Sequence, residues 1–374
     1  MCEKKKILLV SYDYNLTAGG IQNTSYLLAE YLKKDMDVTI FCPSNGTLPC
    51  IENIREYKSR YKGKLFDLFS FFEVYRLHRK IKFDYALSTH YYCGFCLPFL
   101  KFFASVPYGI MTHGNEVVIL DRFASLYRFL RYYCSSKWRR LLTIRNANIV
   151  FSNTSYTASL VKKICSRVNP IVIHPPISEI QCCEPTNNYN HVLLSICRLE
   201  KRKGCQDVIR ALPKVISLIP DIQYKIAGSG VYEKELRNLI AELHLENNVC
   251  LLGNISEEEK KRQLKECGMF VMPSFFDKEV GSVEGFGISY IEANCYGKFV
   301  IGSYSGGIPE AIKVGVTGVL VKEHDIDAIS NFIIEYYNGT INYDPRRCKE
   351  WAMQHHISNI SKQYYEAISQ SIKI

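Results

Sequence analysis

The sequence predicts an α/β protein built on two doubly wound parallel sheets, one in each half of its 374 residues. Three observations carry that expectation. Short apolar runs alternate with stretches of helical period along the whole chain, the βαβ order that gives parallel strands with right-handed crossovers. A polar, turn-rich stretch without periodicity, residues 182–188, interrupts the alternation near the middle. Several apolar runs also end in glycine loops, the end of such sheets at which ligands bind. The length suits two domains with a core each. They are placed at residues 1–180 and 190–345, with a closing helix at 346–374 that returns to the first domain.

Taken in order, residues 7–11 form the first strand, then the Ala18-Gly19-Gly20 loop, a helix over 21–33 and a strand over 38–42. The Gly19-Gly20 loop reads equally as a plain tight turn or as a ligand loop at a strand end. Residues 86–111 are markedly apolar, but Pro98, Lys101 and Pro107 break the run, so strand, helix and strand are expected there rather than a membrane span. The last of these strands, 108–112, delivers Thr112-His113-Gly114. Strands follow at 149–153 and 171–173, with a helix over 157–164 between them.

In the second half, a strand at 191–197 runs into Arg198-Leu199-Glu200-Lys201-Arg202-Lys203-Gly204 and a helix over 205–218. Arg198 and Lys203 can both meet a diphosphate there, Arg bidentately and Lys as a point charge. Strands at 223–227, 248–252, 269–272, 299–302 and 318–321 complete the second sheet. The first of them enters Gly228-Ser229-Gly230. Asp35-Met36-Asp37 and Asp325-Ile326-Asp327 look like metal-binding pairs, but the first precedes a strand and the second opens a helix, where Asp is a common cap. No metal site is assigned.

The densest pattern is MPSFFDKEVGSVEGFGISYIEANCYGKFVIGSYSGGIPE, residues 272–310. Gly285 and Gly287 let backbone approach a ligand closely. The amides of Phe286, Gly287 and Ile288 then face outward at a helix N-terminus, where an anion such as a diphosphate is favoured. Glu284 stands just before that position and Glu292 in the helix, where a carboxylate can accept from a vicinal diol.

These residues resemble the C-terminal signature of retaining glycosyltransferases of the GT-B architecture, family four, also called glycosyl transferases group 1. Glu284 and Glu292 match its two glutamates separated by seven residues, and Gly306, Gly307, Pro309 and Glu310 match its Gly-Gly-x-Pro-Glu loop. Arg198 and Lys203 match its Arg and Lys, with Cys197 standing where the family usually has glycine. The resemblance implies two facing Rossmann-like sheets closing an interdomain cleft on a nucleotide-sugar, UDP- or GDP-linked. It further implies sugar transfer with retained configuration to a glycan or lipid-diphosphate-linked acceptor, in surface polysaccharide or glycolipid assembly. Arg198, Lys203 and the amides of Phe286, Gly287 and Ile288 would hold the donor diphosphate. Glu284 would orient the sugar, Glu292 the ribose and His113 the transferred sugar, and Gly19-Gly20 would face the phosphates. No tightly bound cofactor and no metal requirement are implied. An epimerase or phosphorylase of the same architecture and a non-catalytic scaffold are the rival readings.

Charge is uneven. Residues 1–185 hold 25 Lys and Arg against 14 Asp and Glu, so the whole surplus of +10 lies in the first half and points to an anionic partner. Residues 57–82 interleave Lys and Arg with Phe66, Phe69, Phe71, Phe72 and Tyr75. Residues 122–145 carry seven Lys and Arg, no acid and six aromatics. Either stretch is an interfacial helix on anionic lipid or an ordinary amphipathic helix with its rings inward. No nucleic-acid module is present, and no nucleic-acid partner is expected. Fifteen cysteines without regular spacing, and an apolar run after MCEKKK too short for a signal peptide, predict a cytoplasmic protein. It would sit either free or at the cytoplasmic face of the membrane.

Overall fold

The computed structural model describes residues 3–14, 20–114, 117–118, 138–178 and 190–372. Gly19, the polar stretch at 182–188 and most of the basic stretch at 122–145 lie outside them. The chain divides into two compact units, Met1–Ser178 with His356–Ile374, and Glu179–His355.

The first unit holds a seven-stranded sheet in the order β3-β2-β1-β4-β5-β6-β7, parallel throughout. Its strands are β1 (Lys6–Val10), β2 (Asp37–Cys42), β3 (Arg55–Lys58), β4 (Tyr85–Ser88), β5 (Tyr108–Thr112), β6 (Ile149–Ser152) and β7 (Ile171–Val172). The inner strands are apolar because helices cover both faces, as parallel sheets require; β4 and β5 are buried along their whole length. The edge strand β3 is not among the strands expected from the sequence, and its end overlaps the basic, aromatic stretch 57–82. Its Arg-Glu-Tyr-Lys is half-solvated on both faces and shows no apolar pattern. Helix Ser155–Ile164 starts where Thr154 Oγ1 accepts from Thr157 N at 3.1 Å, an N-cap that satisfies one of the helix's orphan amides.

The second unit repeats the winding with six parallel strands, β10-β9-β8-β11-β12-β13. These are β8 (Val192–Ile196), β9 (Gln223–Ala227), β10 (Val249–Gly253), β11 (Met269–Val271), β12 (Phe299–Ser303) and β13 (Gly318–Val321). Asp325 is the cap the sequence suggested, its carboxylate accepting from Ala328 N at 3.0 Å.

The expected single closing helix from 346 is two helices. Pro345–Gln354 belongs to the second unit. The chain then leaves helical geometry at His355 and bridges Ile177 through His356, and Ile357 N donates to Ile177 O at 3.0 Å. Only Ile357–Ile372 joins the first unit, where Ile360, Tyr364 and Ile368 enter the core and the Tyr364 ring meets Phe151 edge-on at 4.9 Å.

Candidate active site

In each sheet the winding reverses between two central strands, β1 and β4 in the first and β8 and β11 in the second. Chain segments leaving the C-terminal ends of such a pair diverge and open a crevice, the place where doubly wound sheets bind ligands.

In the second unit, a 3-10 turn at Lys201–Lys203 after β8 turns Arg202 and Lys203 inward and leaves Lys201 outside. The segment after β11 brings Glu284 to meet them. Arg202 Nη1 and Lys203 Nζ both donate to Glu284 Oε2, at 2.9 and 2.5 Å, with side chains only 5% and 10% exposed. Burial alone would push the Glu284 carboxyl up, but Lys203 and then Arg202 outweigh it and hold the group down to about 2, fully ionised at neutral pH. Arg202 Nε reaches in turn to Glu200 at 2.9 Å.

The second glycine loop fixes this carboxylate from behind. Gly307 N donates to Glu284 O at 2.9 Å. Gly306 lies at φ +55°, and a Cβ there would stand 2.3 Å from the same carbonyl oxygen, so only glycine lets the loop close on it. Helix Ile288–Cys295 starts directly after this segment, and Ser289 Oγ donates to Ile196 O at 3.3 Å, which sets the helix N-terminus against the end of β8.

The structure assembles some of the expected residues and separates others. Lys203 and Glu284 form one cluster. Arg198 stands outside it, its side chain 69% exposed, with Nη1 2.8 Å from Glu200. Glu292 pairs with Lys260 Nζ at 2.7 Å on the neighbouring helix Glu257–Glu266. Gly287 caps helix Ile288–Cys295, Ile288 is its first residue, and the Phe286 ring is buried against His355, with centroids 5.5 Å apart.

In the first unit, His113 leaves β5 and its Nε2 donates to Thr89 O at 2.8 Å, which puts the proton on that nitrogen. Gly20 opens helix Gly20–Leu32, and Ser25 of that helix donates to Thr89 Oγ1 at 2.8 Å. Helix Gly20–Leu32 and His113 therefore meet at Thr89, just past β4.

Arg202 and Lys260 were missed by the sequence reading. Nothing in Lys201-Arg202-Lys203 marks which cations turn inward, and Lys260 lies in a solvated-looking Glu-Glu-Glu-Lys-Lys-Arg run. Among the described residues no group of three His, Cys, Asp or Glu side chains is placed to hold a metal ion, and no helix is long and apolar enough to cross a membrane.

Fold and site together define a GT-B protein. Against the solved structures, the chain matches HepE of Anabaena in complex with UDP and glucose at a TM-score of 0.76 and 19% identity, over 98% of this chain and 100% of that one. It matches sucrose-phosphate synthase of Thermosynechococcus elongatus at 0.78 and 18%, over 98% and 99%. Residues 184–355 match the family described as glycosyl transferases group 1, and residues 18–179 match glycosyltransferase family 4. The chain belongs to the group 1 glycosyltransferases of GT-B fold.

Among curated relatives, a GDP-mannose-dependent monoacylated alpha-(1-6)-phosphatidylinositol monomannoside mannosyltransferase of Corynebacterium glutamicum is 38% identical over 38% of this chain. The amylovoran biosynthesis glycosyltransferase AmsK of Erwinia amylovora is 33% identical over 41% of it. The aligned part spans 37% of each relative's length.

Proposed function

We propose that the protein transfers a hexose from a nucleoside-diphosphate sugar, with GDP-mannose the favoured donor, to a lipid-linked or polysaccharide acceptor, with retention at the anomeric carbon. The observation that carries the reading is the buried Arg202–Lys203–Glu284 cluster at the β8/β11 switch point, beside a helix N-terminus. The likeness to the GDP-mannose-dependent phosphatidylinositol monomannoside mannosyltransferase supports mannosyl transfer from GDP-mannose to a lipid-linked acceptor, and the likeness to the amylovoran biosynthesis glycosyltransferase supports glycosyl transfer in a biosynthetic assembly.

In this reading the diphosphate lies over the ends of β8 and β11. As the sugar leaves it, negative charge grows on the phosphate oxygens, and preorganised donors in a site with little water stabilise it most. Lys203, the exposed Arg198 and the amides of Gly287 and Ile288 supply them. Glu284, held ionised, orients the sugar and stabilises the positive charge that develops at its anomeric carbon. Glu292 holds the ribose, exchanging part of its pairing with Lys260 for the diol. His113 binds the transferred sugar. Charge neutralisation by these groups makes a metal unnecessary, so turnover should persist in EDTA.

The acceptor side is proposed to meet anionic lipid through the outward stripe of helix Gly63–Ile81. Leu65, Leu68, Phe72, Arg76 and Arg79 fall on one face at helical spacing, and all are exposed. Phe71 links Phe72 to Phe103, and Phe103 meets Phe102, which is 81% exposed. The acids of the helix are engaged inward. Asp67 is paired with Arg139 at 2.8 Å, and Glu73 accepts from Ser59 Oγ and Arg60 N. Apolar and positive groups are what remain outside, a complement to anionic headgroups at about 1 kcal/mol per charge near the surface.

The deciding experiment incubates the purified protein with UDP-, GDP- and ADP-sugars without acceptor and follows slow hydrolysis by NMR. One donor bound and cleaved with retention supports the proposal. Binding of none of them, with a protein partner captured instead, favours the scaffold reading.

A further inference from the structure

The segment that carries Arg198, Glu200, Arg202 and Lys203 is bracketed by two cysteines. Cys197 follows β8 and stays partly exposed; Cys205 is the buried first residue of helix Cys205–Ile216. Their sulfurs lie 3.8 Å apart with one S–H between them. Both ends of the segment are seated without slack. A Cβ on Gly228 would stand 1.9 Å from Cys197 O, and one on Gly204 2.2 Å from Pro273 O.

We infer that Cys197 and Cys205 are an oxidisable pair, joined by hydrogen peroxide into a reversible disulfide that reshapes the Arg198–Lys203 segment. One sulfur attacks the peroxide oxygen, the O–O bond breaks, water leaves and a sulfenic acid forms. The second sulfur attacks the first and expels its hydroxyl as water. Two thiols are oxidised, one peroxide is reduced, and both thiol protons leave in the two waters.

The surroundings divide the two thiols. The hydrogen bond from Cys197 is the largest influence holding the Cys205 thiol below its ordinary value, against burial, and Tyr224, Lys203 and Ser195 add to it, while the same bond and burial push the Cys197 thiol well up, so Cys205 is the sulfur that attacks. A disulfide needs its sulfurs at about 2.05 Å. Closing that gap pulls the two side chains together, and because the contacts at Gly228 and Gly204 hold the ends of the segment, the intervening turn with Arg202 and Lys203 on it absorbs the change. The consequence for ligand binding rests on the donor-site reading above; the disulfide itself does not.

The test exposes the full chain to hydrogen peroxide, blocks remaining thiols with N-ethylmaleimide and maps tryptic peptides. Arg198, Lys201, Arg202 and Lys203 separate the two cysteines, so a bridge appears as two peptides joined and lighter by two hydrogen masses. The joined species should vanish on reduction with dithiothreitol and be absent from Cys197→Ser and Cys205→Ser. GDP affinity, measured by calorimetry on the same samples, should fall about tenfold on oxidation, return on reduction, and ignore peroxide in Cys197→Ser.

Peroxide that caps the exposed Cys50 and Cys250 while leaving the pair as two free or singly oxidised thiols overturns the inference. A bridge that leaves GDP affinity unchanged overturns its coupling to the segment. If the reduced protein binds neither GDP nor UDP, the donor reading falls, and the peptide map still decides the pair.

Discussion

The β1/β4 switch point of the first unit and the β8/β11 switch point of the second occupy the same place in the same winding, yet they hold different chemistry. At the second, two buried cations converge on one carboxylate, and a glycine loop clamps that carboxylate's backbone. At the first, Ser25 donates to the Thr89 hydroxyl and His113 to the Thr89 carbonyl. A doubly wound sheet supplies a crevice and helix ends; which charges stand there is left to the segments that leave the strands. Under the proposed function, the Arg202–Lys203–Glu284 cluster is where the second unit neutralises a diphosphate.

The sharpest way to break that comparison is Glu284→Gln. It leaves the buried Lys203 without its anion and Arg202 with Glu200 alone, and losing one side of a buried pair costs about 3 kcal/mol or more. Urea unfolding should show this loss, whereas His113→Gln, at the crevice of the first unit, should leave stability within about 0.5 kcal/mol. Equal losses for the two would dissolve the contrast.

Arg198→Ala separates function from folding. Its side chain is exposed, so stability should hold within about 0.5 kcal/mol. Transition-state binding should nonetheless fall by about 3 kcal/mol, as for one lost electrostatic donor. Transfer rates within a few-fold of the parent would remove Arg198 from the site.

Gly306→Ala asks whether the glycine loop is the clamp. The left-handed backbone alone costs an L-residue about 1–2 kcal/mol, and the Cβ must also push against Glu284 O. Thermal melting should fall, and donor hydrolysis should fall with it; a loss of stability with hydrolysis intact would make the loop merely structural.

The same carboxylate should also show itself in pH dependence. The Glu284 carboxyl lies at about 2 when folded, well below its ordinary value. A depressed carboxyl stabilises the fold above its unfolded value, and that contribution fades as pH falls from about 4.5 toward 2. Denaturant midpoints across this range should drop less in Glu284→Gln than in the parent, and parallel curves would contradict the assignment.

Much of the fold was legible because buried parallel strands must be apolar and their helices amphipathic, so β1, β2, β5, β6 and the six strands of the second sheet stand out as runs. β3 did not, since an edge strand half in water has no apolar pattern to show. The split between Pro345–Gln354 and Ile357–Ile372 was also hidden, because what breaks the helix is a bridge to Ile177, far away in sequence.

At the site, the sequence by itself placed Arg198 and Lys203 just past a strand, Glu284 in the loop after another and Glu292 in the helix that follows, because their spacing from the apolar runs and the helical pattern puts them there. Only the tertiary structure decided that Arg202, and not Arg198, joins Lys203 on Glu284, and that Glu292 meets Lys260. A charged side chain chooses its partner by burial and by which loop packs beside it. Those are set by contacts such as Gly306 on Glu284 O and Phe275 N on Arg202 O, between residues that local sequence does not connect.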